Sequence, residues 1–286
     1  MQLQSIRTVN LFNNQKLLCA LNLVLVLEGT GCSEYQKALK SPDYKLKRQV
    51  ALKLYQKEDY KRALPLIEEL LTITRGTSEA EKFYYYYARC HFGIKDYETA
   101  QYYFENFLGT FPTSGFAEDA AFMSAYSLYL LSPRYDLDAS STQKAIQELQ
   151  YFINRYPKSN RITECNALID ELRGKLEKKY YRAAILYFNM EYYQAAIVAL
   201  KNFLKDFPDS RYQEEAHFYV LKSAHLYAQK SVEQKKAERF EEVVKFYHTF
   251  AEKFPGSRFI PEANYIYKSA LNYLKTTSKK TELRIP

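Results

Sequence analysis

The sequence predicts an all-α protein, built of about five stacked helix pairs and closed by one further helix. Three observations carry that expectation. The chain of 286 residues holds 28 Tyr and 18 Phe but only 8 Gly and 9 Pro, and it lacks the Asn-Gly and Asp-Gly turns that close β-hairpins. The tetrapeptides FPTS, YPKS, FPDS and FPGS begin at Phe111, Tyr156, Phe207 and Phe254, at intervals of 45, 51 and 47 residues. A repeat of that period marks stacked supersecondary units. Within one unit, Tyr97, Ala100, Phe104 and Phe107 are spaced to share one face of a helix.

Residues 1–31 stand apart from this pattern. Arg7 and Lys16 precede LLCALNLVLVL at residues 17–27, with no acid before Glu28. Eleven helical residues rise about 16 Å, roughly half of a ~30 Å hydrocarbon core, so the run is too short to span a bilayer. It suits the apolar region of an export signal. Cys32, after Gly31, then has three readings: a core residue, half of a disulfide, or the first residue of the mature chain. Residues 32–41 are expected to be a short tether. Cys90 and Cys165 fall in separate helical segments without a CxxC spacing, which argues against a metal site.

The repeats follow over residues 42–275, near 42–75, 78–112, 115–157, 160–208 and 210–255, with a capping helix at 258–275 and a flexible tail at 276–286. The first copy is degenerate: Tyr60, Ala63, Ile67 and Leu70 are followed by Gly76 and no proline. The third uses Thr142, Ala145, Leu149, Phe152 and Pro157, and the loop 132–141 supplies extra length. The fourth and fifth use Tyr193, Ala196, Leu200 and Phe203, then Phe240, Val243, Tyr247 and Phe250. In each set a small residue between bulky ones lets the neighbouring helix come close. Pro112, Pro208 and Pro255 end the helices, because proline cannot continue them. Ser114, Ser210 and Ser257 stand where an N-cap would begin the next. Each pair presents one apolar stripe that it cannot bury alone.

The formal net charge is +8, with cations dispersed among acids as in KEDYKR and EKKYYR. No run of five Lys or Arg occurs, and the charge reads as a solvated helix surface rather than a nucleic-acid stripe. The chain contains no GxGxxG, Walker A, GxSxG or HExxH motif, and the four histidines lack ligand spacing. No enzyme, metal or cofactor is expected. The run Tyr84–Tyr87 is distinctive, since four consecutive residues turning by ~100° each cannot all face one core. Tyr84, Tyr87 and His91 are placed against the partner helix, which leaves Tyr85, Arg89 and Phe92 on an inner face. The equivalent positions are Arg48, Leu52 and Tyr55; Phe122, Tyr126 and Tyr129; and Tyr181, Ile185 and Phe188. Two readings stay open for this face: a peptide groove, or packing against a lengthened neighbour.

The order small, then Tyr-x-x-Ala-x3-bulky-x2-bulky-x4-Pro, met by Ala88, Tyr97, Ala100, Phe104, Phe107 and Pro112, resembles the tetratricopeptide (TPR) repeat, so the array resembles a TPR-like α-solenoid. Thr30-Gly31-Cys32 resembles the lipobox of bacterial lipoproteins, although Gly29 stands where Leu is usual. That resemblance makes Cys32 the lipidation site and, with Ser33 rather than Asp next, points to the outer membrane. Together these features resemble the BamD family of outer-membrane assembly lipoproteins. The resemblance implies a lipid-anchored scaffold on the periplasmic face of the outer membrane. Its partners would be the barrel-forming subunit BamA and other assembly components, through later repeats that include Tyr181, Ile185 and Phe188. Unfolded outer-membrane proteins ending in aromatic residues would meet the inner face of the early repeats. The alternative is a periplasmic TPR adaptor of the Tol–Pal division system, which typically carries an amino-terminal coiled coil and no lipid. A soluble cytoplasmic TPR scaffold is a third class.

Overall fold

The computed structural model describes residues 34–282, with side chains to residue 277. All regular structure among the described residues is helical. A short helix α1 occupies residues 34–40, followed by α2 (Tyr44–Gln56), α3 (Tyr60–Ile73), α4 (Ala80–Gly93), α5 (Tyr97–Thr110), α6 (Ala117–Leu131) and α7 (Ser140–Arg155). Then come α8 (Ile162–Asn189), α9 (Tyr193–Asp206), α10 (Gln213–Gln229), α11 (Glu233–Lys253) and α12 (Ile260–Glu282). The helices form TPR-like pairs in two compact units. Among the described residues, one unit holds the chain from residue 34 to Ser132 with Ser141–Asn166; the other holds Pro133–Ser140 and the residues from Ala167 to Glu282. The single array expected over 42–275 is thus divided within the 28-residue helix α8.

The small-and-bulky stripe makes the cores. Ala63, Ile67 and Leu70, then Ala100, Phe104 and Phe107, are fully buried in the first unit; Ala196, Leu200, Val243 and Phe250 are so in the second. Burying a side chain of this size stabilises the fold by about 1.5–3 kcal/mol. Gly93 serves close approach as well: a Cβ there would stand 2.0 Å from the Tyr60 ring. Cys90 and Cys165 are free and buried. Burial pushes their thiols up, to about 12 and about 11.

Turns inside the pairs repeat. Glu58, Lys95 and Glu191 take left-handed φ values of 57°, 67° and 62°. The next amide donates five residues back, Asp59 to Leu54, Asp96 to His91 and Tyr192 to Tyr187, at 3.0, 3.0 and 2.9 Å. These are Schellman closures, here without the usual glycine. Asp59 and Asp96 then cap the following helix, accepting from the amides of Arg62 and Thr99.

Turns between pairs are built by the FPxS motif. Ser114, Ser210 and Ser257 are not N-caps, as expected from sequence, but lie earlier in the turn. Each hydroxyl oxygen accepts the amide two residues on, at 2.9, 2.9 and 3.0 Å. Each hydroxyl also donates to a glutamate on the first helix of the preceding pair: Glu81 on α4, Glu177 on α8 and Glu214 on α10. The residue two past the serine stacks on an aromatic ring of the same first helix of the preceding pair. Phe116 lies on Tyr85 at 4.5 Å, Tyr212 on Tyr181 at 4.3 Å and Phe259 on Phe218 at 4.4 Å, all within 13° of parallel. Ser257→Ala therefore removes two hydrogen bonds and should lower stability by about 1–2 kcal/mol. Urea denaturation of the single variant checks this.

Two boundary expectations are corrected. Residues 34–40 are a helix, not a tether: Tyr35, Ala38 and Leu39, spaced three and one, pack on the first core, and Ala38 is fully buried. The Lys47 ammonium secures the segment by donating to the Leu39 carbonyl at 3.1 Å. At the other end, α12 continues to Glu282, because residues 276–282 contain no Gly or Pro to stop it. The export signal, Cys32 and residues 283–286 lie outside the described residues.

His217 supplies a pH dependence. Burial, with Lys253 beside it, lowers its imidazole to about 4; the Lys253 ammonium lies 3.3 Å from Nε2. Unfolded histidine protonates near 6.5, so the unfolded chain takes up a proton that the folded one refuses. Stability should be full above about pH 7 and fall as pH drops through 6.5 toward 4. Urea midpoints at pH 7.5 and 5 check this, with a smaller drop expected for His217→Gln.

Candidate functional site

The expected inner face of the first unit is a connected set of rings and guanidiniums on α2, α4 and α6. Leu52 is partly buried against the first core. Tyr55 stacks on Tyr86 at 4.0 Å and hydrogen bonds with Arg89. Burial raises the Tyr55 phenol, so it stays a neutral donor. Arg89 reaches the Met123 sulfur at 3.1 Å and lies 5.8 Å from the Phe92 ring centre. Phe92 meets Tyr126 at 6.0 Å, and Tyr126 stacks on Phe122 and on Tyr129, each at 5.6 Å. Tyr55, Arg89, Phe92, Tyr126 and Tyr129 are half-buried, with part of each open to solvent.

Three residues placed on an accessible face turn out to be packing. Tyr85 is 7% exposed, Phe122 5% and Tyr181 5%, because the following turn lays Phe116, Arg161 and Tyr212 over them. The Tyr85 hydroxyl donates to Asp119, and burial followed by that carboxylate raises its phenol. In the second unit Ile185 is partly buried in the core with Tyr181. Phe188 meets Tyr219 edge-on at 4.9 Å. The other expectation was borne out by contact: Tyr84, Tyr87 and His91 face Tyr103 on the partner helix.

Charge on this face is mostly committed. Arg48 is bound by Glu79 at 2.8 Å, which holds that carboxyl below its usual range through the Arg48 hydrogen bond and that of Tyr44. Arg161 pairs with Asp119 at 2.5 Å and lies 4.3 Å from the Phe122 ring centre. Sequence reasoning missed Glu79, Asp119 and Arg161. A signal for Arg161 existed, since it fills in YPKSNR the slot that Phe116, Tyr212 and Phe259 fill in the other motifs. Arg89 differs from both other arginines: its guanidinium is held by a phenol and a thioether.

The arrangement can recognise aromatic side chains and an anionic group by stacking and hydrogen bonding. Among the described residues no three His, Cys, Asp or Glu gather as metal ligands. No described helix is long and apolar enough to cross a membrane.

Comparison with known proteins bears on the whole chain. Among curated proteins, none matches the sequence significantly. Similar solved structures include the TPR2AB domain of yeast Sti1 in complex with pHSP90, 11% identical, covering 78% of this chain and 96% of that one, with a TM-score of 0.39. The TPR domain of P58(IPK) is 12% identical, with coverage of 95% and 87% and a TM-score of 0.37. A MamA double mutant (RS-1) is 16% identical, with coverage of 72% and 94% and a TM-score of 0.32. The family model YfiO, described as an outer membrane lipoprotein, matches residues 46–240. That match runs from α2 into α11, about two thirds of the chain, and the chain therefore belongs to the YfiO family of outer membrane lipoproteins.

Proposed function

We propose that this protein is a lipid-anchored scaffold of the machinery that assembles outer-membrane β-barrels, working at the periplasmic face of the outer membrane. The observation that carries the reading is the family match over residues 46–240, joined to a fold made of TPR-like pairs. Cys32 is the lipidated residue, following an export signal at 1–31. The half-open face around Arg89, Phe92 and Tyr126 takes the aromatic carboxy-terminal segment of an unfolded barrel protein. The later repeats hold the barrel-forming subunit BamA.

The deciding experiment is a pull-down of the full chain from detergent-solubilised envelopes. Recovery of the large barrel-forming subunit is expected, and depletion should lower several outer-membrane barrels together. Recovery of Tol–Pal components without that subunit would overturn the reading in favour of a division adaptor. Labelling with a fatty-acid analogue tests the anchor separately: label persisting in Cys32→Ser would remove Cys32 from it.

A further inference from the structure

Helix α1 ties the amino-terminal end of the described chain to a fixed place. Tyr35, Ala38 and Leu39 pack on the first core. Successive residues turn by ~100°, which puts Gln36, Lys37 and Lys40 on the opposite side, where all three are exposed. Glu34 accepts from the Lys53 ammonium at 2.6 Å, and the Arg62 guanidinium lies 6.0 Å from the Tyr35 ring centre. The chain therefore enters beside the α2–α3 turn, between Lys53 on α2 and Arg62 on α3. Lys57 stands one turn beyond Lys53, and Lys61 immediately precedes Arg62; both are exposed.

Positive charge is concentrated at this end. Residues 34–75 carry ten Lys and Arg against six Asp and Glu, whereas the remainder of the first unit, 76–132 and 141–166, carries seven against nine. The acids near the entry are mostly committed: Glu34 to Lys53, Asp59 to Arg62 and Glu69 to Lys47. Among the described residues Lys37, Lys40, Lys57 and Lys61 pair with no carboxylate, and the exposed acid beside them is Glu58. On a protein free in solution such a group is only a solvated surface. Cys32, however, is two residues before Glu34, a reach of at most ~7 Å. With α1 packed in place, acyl chains on Cys32 would hold this end about one screening length, roughly 8 Å at physiological salt, from lipid headgroups.

We propose, resting on the lipid anchor of the reading above, that this end of the first unit lies on an anionic phospholipid surface through Lys37, Lys40, Lys57 and Lys61. A tether alone leaves the protein free to turn, and the four lysines give it one orientation. Tyr55 of the peptide face, two residues before Lys57, is thereby brought beside the bilayer.

The test uses the full chain purified from envelopes and floated with vesicles that carry a headgroup quencher. The vesicles are phosphatidylcholine alone, or equal parts phosphatidylcholine and phosphatidylglycerol. Gln36→Cys takes a fluorescent thiol label, since Cys90 and Cys165 are buried. Lys158→Cys, at an exposed position in the turn before α8, is the control. Phosphatidylglycerol should raise quenching at position 36 at least about threefold, well above that at 158, and about 1 M salt should remove the increase. Lys37→Glu with Lys57→Glu and Lys61→Glu should abolish it at unchanged flotation and an unchanged urea midpoint. Lys57→Glu with Lys61→Glu serves if the triple variant is less stable. Quenching that ignores phosphatidylglycerol, is equal at both positions or survives the charge reversals would overturn the proposal and leave the anchor standing. So would a label at position 36 that responds to polyglutamate and not to phosphatidylglycerol. Failure to float would overturn the anchor and this inference together.

Discussion

Tyr85→Ala is expected to lower the free energy of unfolding by about 3–5 kcal/mol, the range for removing a buried aromatic ring. The ring is stacked under Phe116 at 4.5 Å and lies about 6 Å from the centres of Phe104 and Phe107, so deletion opens a cavity among residues that cannot collapse freely. Its hydroxyl also leaves Asp119, although Arg161 still pairs with that carboxylate and softens the polar loss. Tyr85→Phe keeps the ring and should cost only about 0.5–1.5 kcal/mol. At the next position, Tyr86 is half-buried, so Tyr86→Ala should cost less than Tyr85→Ala. Urea titration of the three variants orders them. A Tyr85→Ala cost below about 1 kcal/mol would return that ring to the open face where its helical spacing put it.

That ring marks how far the sequence could be read. The pairing of helices was legible because the small-and-bulky stripe has a fixed spacing, and Tyr84, Tyr87 and His91 fell on the partner side as the spacing requires. A helical wheel assigns faces within one pair; it does not say which face the next turn will cover. The residue that covers Tyr85 is Phe116, 31 positions later, and its counterparts Arg161, Tyr212 and Phe259 sit at the same offset from each serine. The motif was therefore visible as punctuation while its second use, stacking on the first helix of the preceding pair, required geometry. Residues 34–40 were misjudged for a related reason. Seven residues hold too few turns to show a periodicity, yet Tyr35, Ala38 and Leu39 suffice once a core is beside them. The division within α8 had no local signal, since its 28 residues contain neither a proline nor any break in helical pattern.

The candidate site is thereby narrowed to Arg89, Phe92 and Tyr126, and the second large effect is expected there. Arg89→Met with Phe92→Ala should weaken binding of a peptide ending in Phe by at least tenfold, the scale of an interface anchor, with stability reduced far less than by Tyr85→Ala. Arg48 and Arg161 face carboxylates at 2.8 and 2.5 Å, and an incoming peptide carboxylate would have to displace one. Arg89 instead contacts Tyr55 and the Met123 sulfur, partners that a carboxylate can outcompete for a charged hydrogen bond. Amidating the peptide terminus should therefore cost the wild-type protein about as much as it loses in Arg89→Met, and cost Arg89→Met almost nothing. Measuring both peptides on both proteins by fluorescence anisotropy gives the coupling directly. Additive losses would mean the carboxylate is bound elsewhere; an unchanged affinity in the double variant would mean that this half-open face serves packing alone.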